Sequence, residues 1–179
     1  ASFSVDMLIG AVDGKGISSS STEGDETLQA AYSFQIDLNT SFTGEDSLDI
    51  SLDAGNAASS TATTPSPLLE FDPNTTSDAL QVDGVSYTFP VGDSTTVIVG
   101  DNTDGSALFT TACVYGGPSN TLDDCGNVNA GITNGGAMFG ASYDWGNGFT
   151  AAIGYAGNEQ GIMTLETTDG YGANVAYTG

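Results

Sequence analysis

The sequence predicts an all-β fold: an antiparallel transmembrane β-barrel, with about eight strands present in this chain. Three observations carry the expectation. Segments about ten residues long alternate apolar with polar side chains, the period of a half-buried strand. The segments are joined by a tight turn and then by a long polar loop, in regular succession. A barrel across a membrane produces that order, because one rim carries short turns and the other long loops. Finally, no run of about 18 apolar residues exists, so no helix of this sequence could span a bilayer.

The first strand is expected over residues 2–12, with Phe3, Val5, Met7, Ile9 and Ala11 on one face and Ser4, Asp6 and Gly10 on the other. A polar stretch, 13–26, follows. The second strand, 27–39, is cleaner: Leu28, Ala30, Tyr32, Phe34, Ile36 and Leu38 oppose Gln29, Ser33, Gln35 and Asp37. A tight turn at 41–46 leads into a third strand, 47–56, where Leu48, Ile50, Leu52 and Ala54 alternate with Asp49, Ser51 and Asp53. A loop holding Pro65, Pro67 and Pro73, residues 57–79, precedes the fourth strand at 80–89. Within it, Asp83-Gly84 predicts a bulge that shifts the alternation. A turn at 90–93 joins a short β-branched fifth strand, 94–100. The longest connection, 101–134, comes next, then a sixth strand at 135–144 and a turn at 145–148. A seventh strand at 149–156, a loop at 157–169 and an eighth strand at 170–177 complete the chain. All of 1–179 is read as one domain and as an incomplete barrel, since an isolated half-barrel would leave two unpaired edges.

The two faces differ in kind. Apolar faces mix Ala and Gly with Val, Ile and Leu, and Tyr87, Phe89, Tyr143, Trp145, Phe149, Tyr155, Tyr171 and Tyr177 gather near strand ends. That is where aromatic girdles meet the two membrane interfaces. The opposite faces are Gly, Ser, Asn, Gln and Asp, as a water-lined lumen requires. With the tight turns on the periplasmic side, 13–26, 57–79 and 101–134 become the first three external loops.

Composition narrows the function classes. The chain has 23 acidic residues against a single base, Lys15, and a formal charge of −22. Nucleic acid is excluded as a partner, because its affinity comes from Lys and Arg on phosphates. Adsorption to anionic headgroups is disfavoured on the same ground. A solvated acidic surface in a salty medium and an attraction for cations explain the charge equally well. Enzymatic chemistry has little to work with: no His shuttles protons and no Arg clamps an anion. The carboxylate pairs Glu45/Asp46 and Asp123/Asp124 stand in turns or loops, where turn formation accounts for them. No cofactor is expected. The run DNTDG at 101–105 resembles a calcium loop only faintly, its spacing departing from the EF-hand, so Ca2+ there is a minor alternative. Cys113 and Cys125 share one Gly/Pro/Asn-rich stretch and, without His, make a poor zinc site. A local disulfide, implying an oxidising compartment, is favoured over two free thiols and would contribute about 3 kcal/mol in the chain-entropy model.

Four stretches carry a resemblance: LNTSFTGEDSLDISLDAGN (38–56), VDGVSYTFPVGD (82–93), VIVGDNTDGSALFTTACVYGGPSNTLDDCGN (97–127) and GASYDWGNGFTAAIGYAG (140–157). Together they resemble the barrel region of cyanobacterial outer-membrane porins, relatives of the carbohydrate-selective porins. The resemblance implies a trimer-forming barrel of roughly sixteen strands, preceded by an S-layer-homology module that attaches to the cell wall. That module is not in this sequence, and the chain ends Tyr177-Thr178-Gly179 rather than on the terminal aromatic residue typical of such barrels, so it is expected to be the N-terminal barrel portion. In porins the third loop commonly folds into the barrel and narrows it. Residues 101–134 are therefore the expected constriction, pinned by Cys113 and Cys125.

The expected function is passive diffusion of ions and small hydrophilic solutes through a water-filled outer-membrane channel, without turnover. Its partners would be outer-membrane lipid and further copies of the chain. Asp37, Asp49 and Asp53 alternate with apolar residues and so point into the lumen; Asp101, Asp104, Asp123 and Asp124 lie in the constriction loop. Carboxylates crowding a narrow passage favour cations, or else merely keep the lumen wet. The alternative is an acidic secreted β-rich structural protein, forming a fibre or surface layer by edge-to-edge pairing.

Overall fold

The computed structural model describes residues 1–10, 29–56, 76–110, 132 and 136–179. The described residues form eight strands: β1 (Ser2–Gly10), β2 (Gln29–Thr40), β3 (Ser47–Gly55), β4 (Gln81–Val91), β5 (Thr95–Asp101), β6 (Ala137–Asp144), β7 (Phe149–Gly157) and β8 (Asp169–Tyr177). Each pairs antiparallel with its neighbour in sequence, giving a single sheet in the order β1 to β8. Among the described residues β1 and β8 do not meet, so the sheet is open and has two edges.

Local chemistry explains the elements. Each short connection holds a glycine at positive φ: Gly44 between β2 and β3, Gly92 between β4 and β5, Gly146 and Gly148 between β6 and β7. The expected bulge is present, for Ser51 pairs with Gly84 while Leu52 pairs with Val82, leaving Asp83 extra. One boundary differs from expectation. Pro90 does not open a turn but continues β4 opposite Thr96. Pairing with β3 has already stopped at Thr88, and a residue without an N–H is tolerated beyond that ladder.

Register makes the alternation collective. Leu48, Tyr87, Val99, Phe139, Tyr155 and Tyr171 stand opposite one another in succession from β3 to β8. Phe89, Val97, Ala141, Ile153 and Ala173 form the adjacent row. Phe3, Val5 and Met7 extend the same face across β1 against Ile36, Phe34 and Tyr32. One face is therefore apolar across the full width of the sheet. Among the described residues no layer covers it: Met7 is 77% exposed and Val175 74%. Among the described residues buried apolar side chains are few, and half of them are alanines (Ala31, Ala54, Ala152 and Ala156), which is not the interlocked core of a two-layer sandwich.

The β2–β3 turn is locked by one carboxylate. Asp46 is buried and accepts from the Ser41 hydroxyl at 2.6 Å, the Tyr87 hydroxyl at 2.6 Å, the Thr43 hydroxyl at 2.7 Å and the Thr43 backbone N–H at 2.7 Å. Phe42, whose backbone N–H also donates to Asp46, sets its ring edge-on to Tyr87 at 6.1 Å. Hydrogen bonds from Ser41, Tyr87 and Thr43 hold the Asp46 carboxyl far below the usual carboxylate range. Its contribution is fully present above the unfolded value of about 3.9 and is lost as pH falls toward the folded value. Asp46→Asn should therefore lower unfolding stability at neutral pH. The gap to wild type should narrow progressively below about pH 4, as followed by urea unfolding in detergent across pH 2–7.

Candidate functional site

The face opposite the apolar one is divided into two unlike halves. On β1–β3 it is polar. Asp37 accepts from Gln35 Nε2 at 2.8 Å, Ser51 Oγ at 2.9 Å and Ser2 Oγ at 3.2 Å, so one carboxylate ties three strands together. Asp49 accepts from Asn39 Nδ2 and Ser47 Oγ, both at 2.6 Å. Asp53 lies on the same face, opposite Gln35 and Gln81. These carboxylates are half-buried. The donors that meet Asp37 and Asp49 are neutral hydroxyls and amides, leaving their negative charge uncancelled locally.

On β5–β8 the same face is small and dry. Ile98, Gly140, Gly154 and Gly172 stand opposite one another in a single row. Three adjacent strands without side chains make a flat floor, and residues 102–110 and Ile132 of the β5–β6 connection lie on it. Asn102, at φ 52°, turns the chain back over the sheet, and its side-chain amide donates to the Asp83 carbonyl at the bulge. Thr103 then sits over Gly84 and Gly100, where an added Cβ would stand 2.7 Å from its side chain at either position. Gly105 crosses Gly154 so closely that a Cβ there would collide with its carbonyl oxygen. Ile132 and Phe109 cover Gly172. Farther along, the Thr110 hydroxyl lies 3.0 Å from that of Thr150, near the opposite end of β7. The connection therefore descends about 23 Å along the strand, at roughly 3.3 Å per residue.

Three hydrogen bonds within the connection and one apolar cluster hold it. Asp104 Oδ1 accepts from the backbone N–H of Ser106 at 2.8 Å and of Ile132 at 2.9 Å, and Gly105 N–H donates to the Ile132 carbonyl at 3.0 Å. Leu108 and Phe109 pack on a dry cluster of Ile98, Ile132, Met138 and Ala156. The two unlike halves thus differ in one device: among the described residues, loop packing on glycine covers β5–β8, and no such packing lies over the half-buried carboxylates of β1–β3.

Of the residues singled out from sequence, Asp37, Asp49 and Asp53 share one face, and Asp104 belongs to the loop laid across it. Asp101 is placed differently from expectation. It ends β5 rather than opening the loop, in register with Val85 and Ala137, and so stands at the rim of the apolar face. Its exposure there keeps the carboxylate solvated. Asp123, Asp124, Cys113 and Cys125 lie outside the described residues, as does most of 101–134 beyond Thr110. Among the described residues no group of three or more His, Cys, Asp or Glu is placed to share a metal ion.

Sequence reasoning missed the glycine floor. Its signal was present: Gly140, Gly154 and Gly172 each sit between two members of the apolar face. No family model matches this chain, and no curated protein or solved structure is detectably similar to it. The geometry alone therefore speaks for the site.

Substitution of one floor residue tests whether the loop depends on it. Gly154→Ala should unseat residues 103–110 while leaving the strands paired, at a cost of about 1–3 kcal/mol for overpacking. Chymotryptic cleavage after Leu108 and Phe109 should accelerate, with far-UV circular dichroism unchanged.

Proposed function

We propose that this chain forms part of the wall of a water-filled outer-membrane channel that passes ions and small hydrophilic solutes by diffusion. The observation that carries the reading is the apolar face, eight strands wide and uncovered among the described residues. A contiguous apolar surface of that extent marks contact with another protein or with lipid, and its internal order favours lipid. Aromatic rings border it at the turn end (Tyr143 and Trp145 at 5.1 Å, Phe149 and Tyr177 at 4.7 Å) and at the loop end (Phe139, Tyr155 and Tyr171). Aliphatic residues such as Val97, Ile153 and Val175 lie between. Most strands are 9–12 residues long, the length that crosses a bilayer when tilted.

Lipid on one face requires water on the other and no free edge. Further strands would therefore pair with β1 and β8 to close a barrel of roughly sixteen, in keeping with the resemblance to cyanobacterial porins and their trimers. The β5–β6 connection, folded onto the face turned away from lipid, then narrows the channel. Asp37, Asp49 and Asp53 line the open side, which supports a preference for cations. Diffusion of this kind needs no catalytic group and no cofactor.

A second reading has its own support. The unpaired edges of β1 and β8 suit end-on growth into a fibre or surface layer. Ile153, mid-strand and 63% exposed, separates the two. Ile153→Arg should destabilise a bilayer-embedded sheet by about 2–4 kcal/mol and leave a water-exposed one nearly unchanged, measured by urea unfolding in phosphatidylcholine vesicles. Filaments that sediment from detergent-free buffer would instead favour the fibre.

Planar-bilayer recording tests the channel directly. Discrete conductance steps with a reversal potential displaced toward the cation potential under a KCl gradient are expected. Asp37→Asn together with Asp49→Asn should shift that potential toward zero. An absence of steps would sink the channel reading, and an anion-directed potential would sink the cation preference alone.

A further inference from the structure

Tyr155 is anomalous on the apolar face. Its row neighbours Phe139 and Tyr171 are 37% and 64% exposed, yet Tyr155 is 1% exposed. The rings on either side, at 4.6 and 5.2 Å, cover its flanks. The rest of the cover comes from the β7–β8 connection, residues 158–168. The Tyr155 ring leans over Gly157, where an added Cβ would stand 2.7 Å from its Cζ. Its hydroxyl donates to Asp169 Oδ1 at 2.7 Å and accepts the backbone N–H of Met163 at 3.1 Å. This connection therefore bends toward the apolar side of the rim, whereas the β5–β6 connection bends to the opposite face.

The bend is held tightly. Gly161 N–H donates to the Asn158 carbonyl, and the Gly161 carbonyl accepts from Thr164 N–H at 3.0 Å and from the Thr167 hydroxyl at 2.7 Å. Met163 adopts φ 58°, a conformation that costs an unbranched side chain free energy and that its hydrogen bond to Tyr155 helps to hold. The result of this constraint is an apolar tip. Ile162, Met163 and Leu165 are 46%, 57% and 107% exposed, directly beyond the loop-end aromatics.

We infer that the β7–β8 connection is a lipid anchor, its Ile162, Met163 and Leu165 tip entering the interfacial layer of the bilayer. This rests on the reading of the apolar face as lipid-facing, and extends it beyond the strands. The tip is continuous with that face, and a protruding tip enters fluid lipid without needing a complementary pocket. Glu159, Glu166 and Asp169 accompany it without a base, so the fitting headgroup is zwitterionic rather than anionic.

The single tryptophan, Trp145, makes the test spectroscopic. In a Trp145→Phe background, Leu165→Trp and, separately, Ile153→Trp are reconstituted as the whole chain into phosphatidylcholine vesicles with brominated or ordinary acyl chains. Ile162→Trp repeats the measurement should Leu165→Trp fail to give a β-sheet spectrum. The expected result is emission loss on bromination for Ile153→Trp and for the tip variants alike. Tip variants quenched by aqueous iodide but not by bromine, while Ile153→Trp is quenched by bromine, would overturn the anchor and leave the bilayer reading standing. Tip variants quenched by neither would place protein over the tip and overturn it too. An Ile153→Trp signal indifferent to bromine would bring down the bilayer reading and the anchor with it.

Discussion

An eight-stranded sheet with one unbroken apolar face imposes a solvent condition on everything attached to it. Water on that face would leave Met7, Ile153, Val175 and their neighbours unsatisfied along the full width. The described residues supply no second layer, and on the proposed reading lipid takes the place of the core that a soluble domain packs against this face. Backbone pairing is complete from β1 to β8 except at the two edges, which is the arrangement a medium without hydrogen-bond donors tolerates once those edges are closed. On the proposed reading, strand length and the placement of aromatic rings near strand ends answer to this one condition.

The opposite face answers to a different physics. Where β5–β8 present Gly140, Gly154 and Gly172, backbone can approach backbone, and the connection gains dispersion contacts that any side chain would forbid. Where β1–β3 present Asp37, Asp49 and Asp53, no such approach is possible without desolvating carboxylates. Asp104, accepting from the backbone N–H groups of Ser106 and Ile132, ties two parts of the connection to each other.

Much of this was legible in the residues. Alternation located most of the strands, and β-branched composition the fifth, because a period of two survives any tertiary context in which one face alone is apolar. Asp83-Gly84 announced its bulge for the same reason: it breaks the alternation. What stayed hidden depends on contacts between residues far apart in sequence. Gly154 looks like an ordinary small residue until Gly105 is laid across it. Tyr155 looks like another girdle ring until Met163 closes over its hydroxyl. Pro90 read as a turn former because its tolerance depends on where β3 stops pairing, and Asp101 read as loop because a charge at a strand end carries no period of its own.

Covering half of one face has a geometric consequence for anything that passes through a cylinder built from this sheet. The free cross-section would be eccentric, displaced from the axis toward β1–β3. A hydrated ion would then travel within about one Debye length, 8–10 Å at physiological salt, of the Asp37 and Asp49 wall throughout its transit, rather than meeting charge only at a single narrow ring.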